Sequence, residues 1–486
     1  MREFLEQSHY DEPSLCARLG TAGPQEFMDV DPKPDSPAAI IDALDVLIRL
    51  FLTGEQVQGI EKWISPAPLK VMQDLGLLCS PEPGLCCGSV ALYPCHGLYI
   101  TSDHWNLPKG LPPRSDDVVY PAISVQTLFF LNQLPPLPCE AFLEICAGTG
   151  TAALIAATKY ARHSWAMDLT ARSTQLGEFN RRLNAVENLT VARSDLYEAV
   201  AGLTFDRIVA HPPYMPVLRR GPIFAAGGEL GEQVTSRIVR ESPRHLRPGG
   251  RLYCVTTGVD CADQPFEERA RGWLGEWESE FDVLMIVNRC FQTDHMAMHA
   301  ALLDGGMNDL KLWKALFQER RVEQMVHGTL VVQRKSGARP PFTARRDRRS
   351  DGGAADIEWL LAWEAAAAGP SIRSFLLSAR PVASPELRLQ VTHRVQGGEL
   401  APVAFTLATS HPFVVDCKIE PWTAYLLGRC DGTATALEHF AYCKEVGLLH
   451  PETPVEEFAD LLRVLVSGGY LEVEGFASPR RKTTCP

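Results

Sequence analysis

The fold of this chain is decided by residues 141–150, with the sequence Ala141-Phe142-Leu143-Glu144-Ile145-Cys146-Ala147-Gly148-Thr149-Gly150. An apolar run enters a turn with two glycines, and the alanine-rich residues 151–160 follow with helical composition. A strand, a glycine-rich turn and a helix in this order are typical of a nucleotide-binding α/β unit. Glycine also lets the backbone approach a ligand where a Cβ atom would collide. The stretch therefore predicts an α/β sheet with a ligand near the turn.

Two acidic residues follow, each at the end of a predicted strand. Asp168 ends the strand predicted over 164–168, about 20 residues past the glycines, and Asp195 follows the strand predicted over 189–192. A carboxylate at the first position is placed to accept hydrogen bonds from ribose hydroxyls. The second could accept from an adenine amino group. Together the two acids favour a ligand that contains a nucleoside.

A rigid motif, His211-Pro212-Pro213-Tyr214, comes directly after the apolar run 205–210. Two consecutive prolines fix two φ angles and remove two N–H donors, so the nearby carbonyls are held toward a pocket. Carbonyl acceptors beside an aromatic face suit a flat, uncharged NH2 group. Alone the motif predicts only a turn, but after the glycines and the acids it predicts an acceptor site.

The order of these motifs resembles the class I S-adenosylmethionine-dependent methyltransferases. More narrowly, it is similar to their small-domain branch, which carries an (Asn/Asp/Ser)-Pro-Pro-Tyr motif and methylates planar nitrogens. That branch includes release-factor glutamine methyltransferases and relatives that act on ribosomal protein, rRNA and tRNA. The likeness runs from about residue 143 to residue 255 and includes the glycine-containing segments 225–231 and 246–252.

The resemblance implies a role for each candidate residue and requires no metal. Glu144 and the glycine turn would hold the methionine part of S-adenosylmethionine, Asp168 the ribose and Asp195 the adenine amine. The nitrogen to be methylated would lie at His211, Pro212, Pro213 and Tyr214. The complete set expected to bind the cofactor is Glu144, Cys146, Gly148, Gly150, Asp168, Leu169, Asp195 and Leu196.

Two residues depart from the family pattern. Cys146 stands where the family usually has Gly, and His211 stands where it usually has Asn or Asp. A neutral histidine offers one acceptor nitrogen, farther from the backbone than the oxygen of asparagine. Either the acceptor is a different planar nitrogen, or backbone carbonyls take over the first acceptor role. The structural alternative is that His211 only fills space at a strand end.

We expect S-adenosylmethionine-dependent N-methylation of a planar nitrogen, with a protein glutamine side chain as the first acceptor. A base amine of rRNA or tRNA and a small-molecule amine are the alternatives. The non-enzyme alternative is a degenerate methyltransferase fold that serves as a binding module. Glu144, Asp168 and Asp195 favour the enzyme, whereas Cys146 and His211 leave the binding module open.

Composition favours a cytoplasmic protein and disfavours a general nucleic-acid binder. The 486 residues carry a net charge of −12, and their 14 cysteines are scattered. No apolar run has the length of a membrane span, and the first residues lack a secretory signal pattern. The cluster Cys79, Cys86, Cys87, Cys95 and His96 lacks a Cys-x-x-Cys spacing, so we expect no zinc site there.

Proline, glycine and charge patterns divide the chain into five segments and predict an α/β fold. A Rossmann-like seven-stranded methyltransferase sheet is expected between two small winged-helix-like α+β domains. The segments are an irregular N-terminal part (1–36), a winged-helix-like domain (37–114), the methyltransferase domain (115–333), a basic linker (334–353) and a second winged-helix-like domain (354–486). The run Arg334 to Arg349 would be a solvated linker, or would grip RNA phosphates or an acidic protein surface.

Overall fold

The computed structural model describes residues 1–30, 40–105, 117–219, 221–304 and 309–479. The α-helices in this part of the chain are α1 (Arg2–Gln7), α2 (Glu12–Leu19), α3 (Ala43–Phe51), α4 (Pro66–Asp74), α5 (Val125–Asn132), α6 (Thr151–Lys159), α7 (Ala171–Leu183), α8 (Gln233–Glu241), α9 (Phe266–Gly272), α10 (Thr293–Asp304), α11 (Leu310–Glu319), α12 (Ala354–Ala367), α13 (Ile372–Ser378), α14 (Pro421–Arg429), α15 (Ala436–Glu445) and α16 (Val455–Ser467).

The strands in the described residues are β1 (Val57–Gln58), β2 (Leu78–Glu82), β3 (Leu85–Gly88), β4 (Ala91–Cys95), β5 (Leu98–Ser102), β6 (Cys139–Ile145), β7 (Ala161–Asp168), β8 (Leu189–Arg193), β9 (Phe205–Ala210), β10 (Leu246–Cys261), β11 (Phe281–Gln292), β12 (Val322–Arg334), β13 (Thr343–Arg348), β14 (Val382–Ala383), β15 (Arg388–Gln396), β16 (Glu399–Thr409), β17 (Phe413–Ile419) and β18 (Leu471–Glu472).

The chain forms two compact units. The first comprises Met1–Val259 and Thr293–Val322, and the second comprises Asp260–Gln292 and Glu323–Pro486. This division does not test the five predicted segments, whose boundaries and domain types stay predictions.

The first unit contains a parallel sheet with the strand order β10-β9-β6-β7-β8. Leu143 on the central strand pairs with Trp165 on one side and Ile208 on the other, and both Leu143 and Ile208 are fully buried. Parallel strands buried on both faces are mostly apolar, and residues 141–143 and 208–210 supply apolar runs of this kind. The predicted α/β class with a mostly parallel sheet is confirmed. The carboxyl ends of β6, β7, β8 and β9 meet at one edge.

The N-terminal segment differs from its prediction. Residues 1–30 contain α1, α2 and a 3-10 turn (Pro24–Asp29), so the prediction of irregular structure is wrong there; residues 31–36 lie outside the described residues. Fully buried Leu5, Leu15 and Tyr10 anchor these helices, and the Tyr10 hydroxyl donates to Leu92 O at 2.7 Å. Tertiary contacts stabilise helices that the polar composition did not reveal.

Within 37–114 the sequence predicts helices over 38–52 and 68–75 and strands near 89–93 and 97–102, and the structure has α3, α4, β4 and β5 at these places. Residues 37–39 and 106–114 of this segment lie outside the described residues, and the winged-helix-like fold stays a prediction. Cys79 and Cys87 are cross-strand neighbours in β2 and β3, with 3.0 Å between their sulfur atoms. In the described part of the chain no group of three or more His, Cys, Asp or Glu residues is arranged to hold a metal ion.

The second unit contains strands in the order β15-β16-β17-β13-β11-β12. The prediction of a solvated basic linker over 334–353 is wrong for 343–348, because these residues form β13 and pair in parallel with β11. Arg345 binds Asp260 at 2.7 Å and also Glu267, while Arg346 binds Glu364 at 2.9 Å. Acids far away in sequence therefore neutralise these bases.

For the C-terminal segment the sequence predicts strands over 387–395 and 402–409 and helices over 422–428, 434–446 and 454–467. The structure has β15, β16, α14, α15 and α16 at these places. Their core includes Trp363, Leu426, Phe458 and Tyr470. The winged-helix-like fold of 354–486 stays a prediction, and residues 480–486 lie outside the described residues. Among the helices that the structure describes, none has the length and apolar character to cross a membrane.

Candidate functional site

One cavity of about 1390 Å³ lies at the carboxyl edge of the parallel sheet in the first unit. It brings together every predicted site residue except Gly150. The predicted residues that line it are Glu144, Cys146, Gly148, Asp168, Leu169, Asp195, Leu196, His211, Pro212, Pro213 and Tyr214. Residues from four strand ends thus meet in one place, although their individual roles stay predictions.

The turn after β6 has a left-handed backbone at three positions. The φ angles are 55° at Cys146, 52° at Gly148 and 73° at Gly150. A Cβ atom added to Gly148 would meet nothing within 4 Å, so the backbone angle, and not crowding within the protein, accounts for glycine there. At Cys146 an L-residue adopts this conformation at a cost of about 1 kcal/mol. Strained backbone of this kind is concentrated at functional sites.

Asp168 fixes the shape of this turn. Its carboxylate accepts hydrogen bonds from Gly148 N at 2.8 Å, from Thr170 N at 3.0 Å and from the Thr170 hydroxyl at 3.3 Å. A carboxylate has about four acceptor positions, so these three bonds leave about one, and Asp168 lines the cavity. The structure thus gives Asp168 a positioning role that the sequence did not predict, beside its predicted ribose contact.

Glu144 is buried beneath the turn, with 4% of its surface exposed. It accepts from Ala153 N at 2.7 Å and so caps α6 from the preceding strand, because the N-cap residue Gly150 has no side chain for this purpose. Burial raises the pKa of Glu144 to about 8, against a usual value of 4.5. The side chain is therefore mostly protonated at neutral pH in this structure.

Asp195 lies in an ion pair that the sequence did not predict. Arg237 of α8 reaches it across 42 residues of sequence, with 2.9 Å between Nη2 and Oδ2, and also lines the cavity. No local pattern marks such a contact, since it depends on how α8 packs on the sheet. Leu196, the next residue, has φ 51° and is a second strained residue at the cavity wall.

The backbone of Tyr214, the last residue of the Pro-Pro-Tyr motif, is held by contacts with β10 and with the glycines of segment 225–231. The Thr257 hydroxyl of β10 donates to Tyr214 O at 2.7 Å. A Cβ atom at Gly231 would collide with that same oxygen, and one at Gly227 would lie 2.7 Å from the Tyr214 Cα atom. The glycines of segment 225–231 therefore allow a close backbone approach that fixes Tyr214.

Aromatic side chains wall the acceptor side of the cavity. The His211 ring lies 5.4 Å from Phe130 and 5.6 Å from Tyr214, with interplanar angles of 30° and 25°. Tyr120 and Phe224 lie 5.5 Å apart and also line the cavity. Burial raises the pKa of Tyr214 to about 12, so its phenol stays protonated at neutral pH.

The sequence predicted part of this wall. The resemblance to the family implies that residues 120–126 line the site, and Tyr120, Ala122 and Gln126 do line the cavity. The sequence missed Phe130, Phe224 and Arg219, which also line the cavity. Phe130 lies in an apolar stretch typical of a core helix, and the other two lie in a loop whose path depends on tertiary contacts.

Comparison with known proteins places this cavity in a family. The sequence model of the methyltransferase small-domain family matches residues 121–268. The chain is 33% identical over 173 residues to a putative protein N5-glutamine methyltransferase of Methanocaldococcus jannaschii, which covers 33% of this chain and 87% of that protein. It is 30% identical over 164 residues to the ribosomal protein uL3 glutamine methyltransferase of Bradyrhizobium diazoefficiens, with 31% of this chain and 51% of that protein covered.

Two further likenesses are more limited. The release factor glutamine methyltransferase of Escherichia coli is 30% identical over 31% of this chain and 57% of its own length. A solved structure of a putative methyltransferase, SMU.776, complexed with SAH, is 15% identical, with 50% of this chain and 56% of that chain covered and a TM-score of 0.31. The chain thus spans about half the length of the uL3 and release-factor relatives that it matches, and most of the archaeal one. On the sequence likeness, this chain belongs to the methyltransferase small-domain family.

Proposed function

We propose that this chain transfers a methyl group from S-adenosylmethionine to the side-chain nitrogen of a glutamine in a protein. The observation that carries the proposal is one cavity that holds the strained glycine turn, three acids at strand ends and the Pro-Pro-Tyr motif. The names of the relatives, which specify glutamine in a ribosomal protein or a release factor, support this acceptor.

The cavity fits the cofactor in its chemistry. Asp168 and Asp195 bring carboxylates to the lining, which suit ribose hydroxyls and a positively charged sulfonium, and the protonated Glu144 adds a carboxyl group that can form hydrogen bonds. Glu144 and the turn would hold the methionine part, Asp168 the ribose and Asp195 the adenine amine. When bound, the cofactor supplies an electrophilic methyl group together with its leaving group.

The protein's own contribution to the reaction is alignment and hydrogen bonding. An amide nitrogen is a poor nucleophile because its lone pair is delocalised. Fixed acceptors for its two hydrogens raise the electron density on nitrogen as positive charge develops in the transition state. Tyr214 O already accepts one hydrogen bond from Thr257, and we place the two acceptors in the earlier part of the motif, at His211 and Pro212. The rigid prolines hold them in place while the Tyr214 ring covers the amide plane.

The ring of His211 also contributes to the aromatic lining of the cavity. Its ring packs with Phe130 and Tyr214, so it extends the aromatic wall at the place where the family usually has a short amide or carboxylate. The same row of rings would stack on a nucleobase, and this is the observation that favours a base amine as the second candidate acceptor. The basic run Arg334 to Arg349 gives this candidate less support than its sequence suggests, because Arg345 and Arg346 form ion pairs with acids of the chain.

The experiment that tests the proposal is transfer of a labelled methyl group from S-adenosylmethionine to a cell extract, followed by protease or nuclease digestion. We expect the label in the protein fraction, on a glutamine located by peptide mass spectrometry. Label that only nuclease releases would replace glutamine by a base amine, and no transfer together with no cofactor binding would reject the enzyme. A cytoplasmic location is part of the same proposal, supported by the free state of the 13 cysteines in the described residues.

A further inference from the structure

The acceptor wall is the part of the cavity lining that contains Tyr120, Phe130, His211, Tyr214 and Phe224. The loop that carries Phe224 contacts an inserted pair of helices that contribute no strand to the sheet. β11 and β12 are antiparallel partners up to Gln292 and Gln324, and α10 and α11 are inserted between them. A two-residue turn would suffice to join such strands. The inserted segment Thr293–Val322 is part of the first unit, the unit that contains the cavity.

Asp309, at the start of α11, makes the main contact. Its Oδ2 lies 2.7 Å from Arg219 Nη1, and its Oδ1 lies 3.2 Å from Arg219 Nη2. This two-point pairing of a guanidinium with a carboxylate is the strong and directional form of an ion pair. The Asp309 side chain is only 7% exposed, whereas Arg219 is 60% exposed, so the carboxylate is the fixed and buried partner of this pair.

Asp309 makes this contact at the expense of its own helix. It occupies the N-cap position of α11, where aspartate is among the most favoured residues, yet its side chain caps no N–H of that helix in the described residues. An unused cap of this kind costs a helix about 1 kcal/mol. The carboxylate is therefore oriented toward Arg219, away from the position that local helix stability favours.

Arg219 belongs to the loop that forms the acceptor wall. Two residues earlier, Val217 N donates to Gly228 O at 3.0 Å, and Met215 pairs through its backbone with Ala225 and Gly227. These bonds close a loop that carries Ile223 and Phe224 into the cavity lining. Holding Arg219 thus restrains the loop that carries Ile223 and Phe224, on the side of the cavity assigned to the acceptor.

We propose that Asp309 is a positioning residue: through Arg219 it fixes the acceptor wall, so that the α10–α11 insertion governs acceptor binding and not cofactor binding. The kinetic consequence rests on the proposed function, whereas the restraint on the loop does not. Substitution Asp309→Asn keeps the size of the side chain and removes its charge. Lys314→Ala is the matched control, because Lys314 forms an exposed ion pair with Asp294 within the same insertion.

The test is hydrogen exchange of the full chain, read at the amides of Met215, Val217 and Gly227. We expect these amides to exchange about tenfold faster in Asp309→Asn than in wild type, with no change in Lys314→Ala and none at the α6 amide of Ala153. In a methyl-transfer assay, kcat/KM for the acceptor should fall about tenfold while the Kd for S-adenosylhomocysteine stays constant.

Unchanged exchange at the three amides, or an equal loss of cofactor affinity, would overturn the inference. A general loss of structure would show as faster exchange at Ala153 as well, and it too would overturn the specific role of Asp309. Failure of the proposed function is distinguishable, since wild-type protein would then transfer no methyl group while the exchange pattern still gave its own answer.

Discussion

At the scale of single residues, Glu144 has the most distinctive environment in the cavity. It is buried, it caps α6 through Ala153 N, and its pKa is raised to about 8. The sequence implied only a contact with the cofactor. Burial of a carboxyl depends on what packs around it, and that information is not local to residues 141–150.

The raised pKa of Glu144 predicts how stability changes with pH. Between the unfolded value near 4.5 and the folded value of about 8, the native state holds a proton that the unfolded state has lost. This contribution to stability is fully present below pH 4.5 and is lost as pH rises toward 8, by up to several kcal/mol. In Glu144→Gln the free energy of unfolding should therefore depend much less on pH between 6 and 9 in urea titrations.

The control for this prediction is Glu140→Gln. Glu140 lies on the same strand, is 64% exposed and pairs with Arg162 on the surface. It should keep the wild-type dependence on pH. If Glu144→Gln kept the full dependence as well, the buried carboxyl would not be its source.

At the scale of elements, segment 225–231 decides where the Pro-Pro-Tyr motif lies. Gly231→Ala places a Cβ atom against Tyr214 O and has an unfavourable φ of 77°. We expect a loss of about 2–3 kcal/mol in stability and at least a tenfold fall in acceptor turnover. Gly202→Ala separates the two effects, because Gly202 has φ 81° but a Cβ atom there meets nothing within 4 Å. Equal losses in both variants would mean that contact with Tyr214 does not matter.

The elements also show what the sequence can predict. The sequence predicts a helix over 233–241, and α8 has these bounds because its amphipathic pattern agrees with its surroundings. The sequence predicts a strand over 253–256, whereas β10 extends over Leu246–Cys261. At its start β10 pairs with β9 through an irregularity between Leu246 and Arg251. Pro248 and two glycines there are typical of a turn. Tertiary pairing outweighed that local preference.

At the scale of the whole molecule, the charge balance was the hardest property to predict. A run of bases in an acidic chain suggested a linker or an RNA contact, since sequence alone does not show which acids lie nearby. Asp260 and Glu267 come from about 80 residues earlier and neutralise Arg345 in β13. In contrast, it was predictable that the glycine turn, the acids and the Pro-Pro-Tyr motif lie close together, because parallel strands bring their carboxyl ends to one edge of the sheet.

This ion cluster predicts a large effect on the second unit. Arg345→Met leaves two carboxylates, each with 8% of its side chain exposed, without their shared cation. We expect a loss of about 3 kcal/mol in the free energy of unfolding, measured by urea titration. Arg394→Met, on the exposed strand β15, should change it by less than about 0.5 kcal/mol. Similar values for the two variants would show that β13 is not held by this cluster.

The central claim is that one cavity binds the cofactor through Asp168 and presents a glutamine nitrogen at Tyr214. It is tested most directly by measuring S-adenosylhomocysteine affinity and labelled methyl transfer to protein in the same preparations of wild type, Asp168→Ala and Tyr214→Ala. We predict that wild type binds and transfers, that Asp168→Ala loses binding, and that Tyr214→Ala binds normally but transfers nothing. Equal loss of binding in both variants, or transfer by Tyr214→Ala at the wild-type rate, would contradict the account.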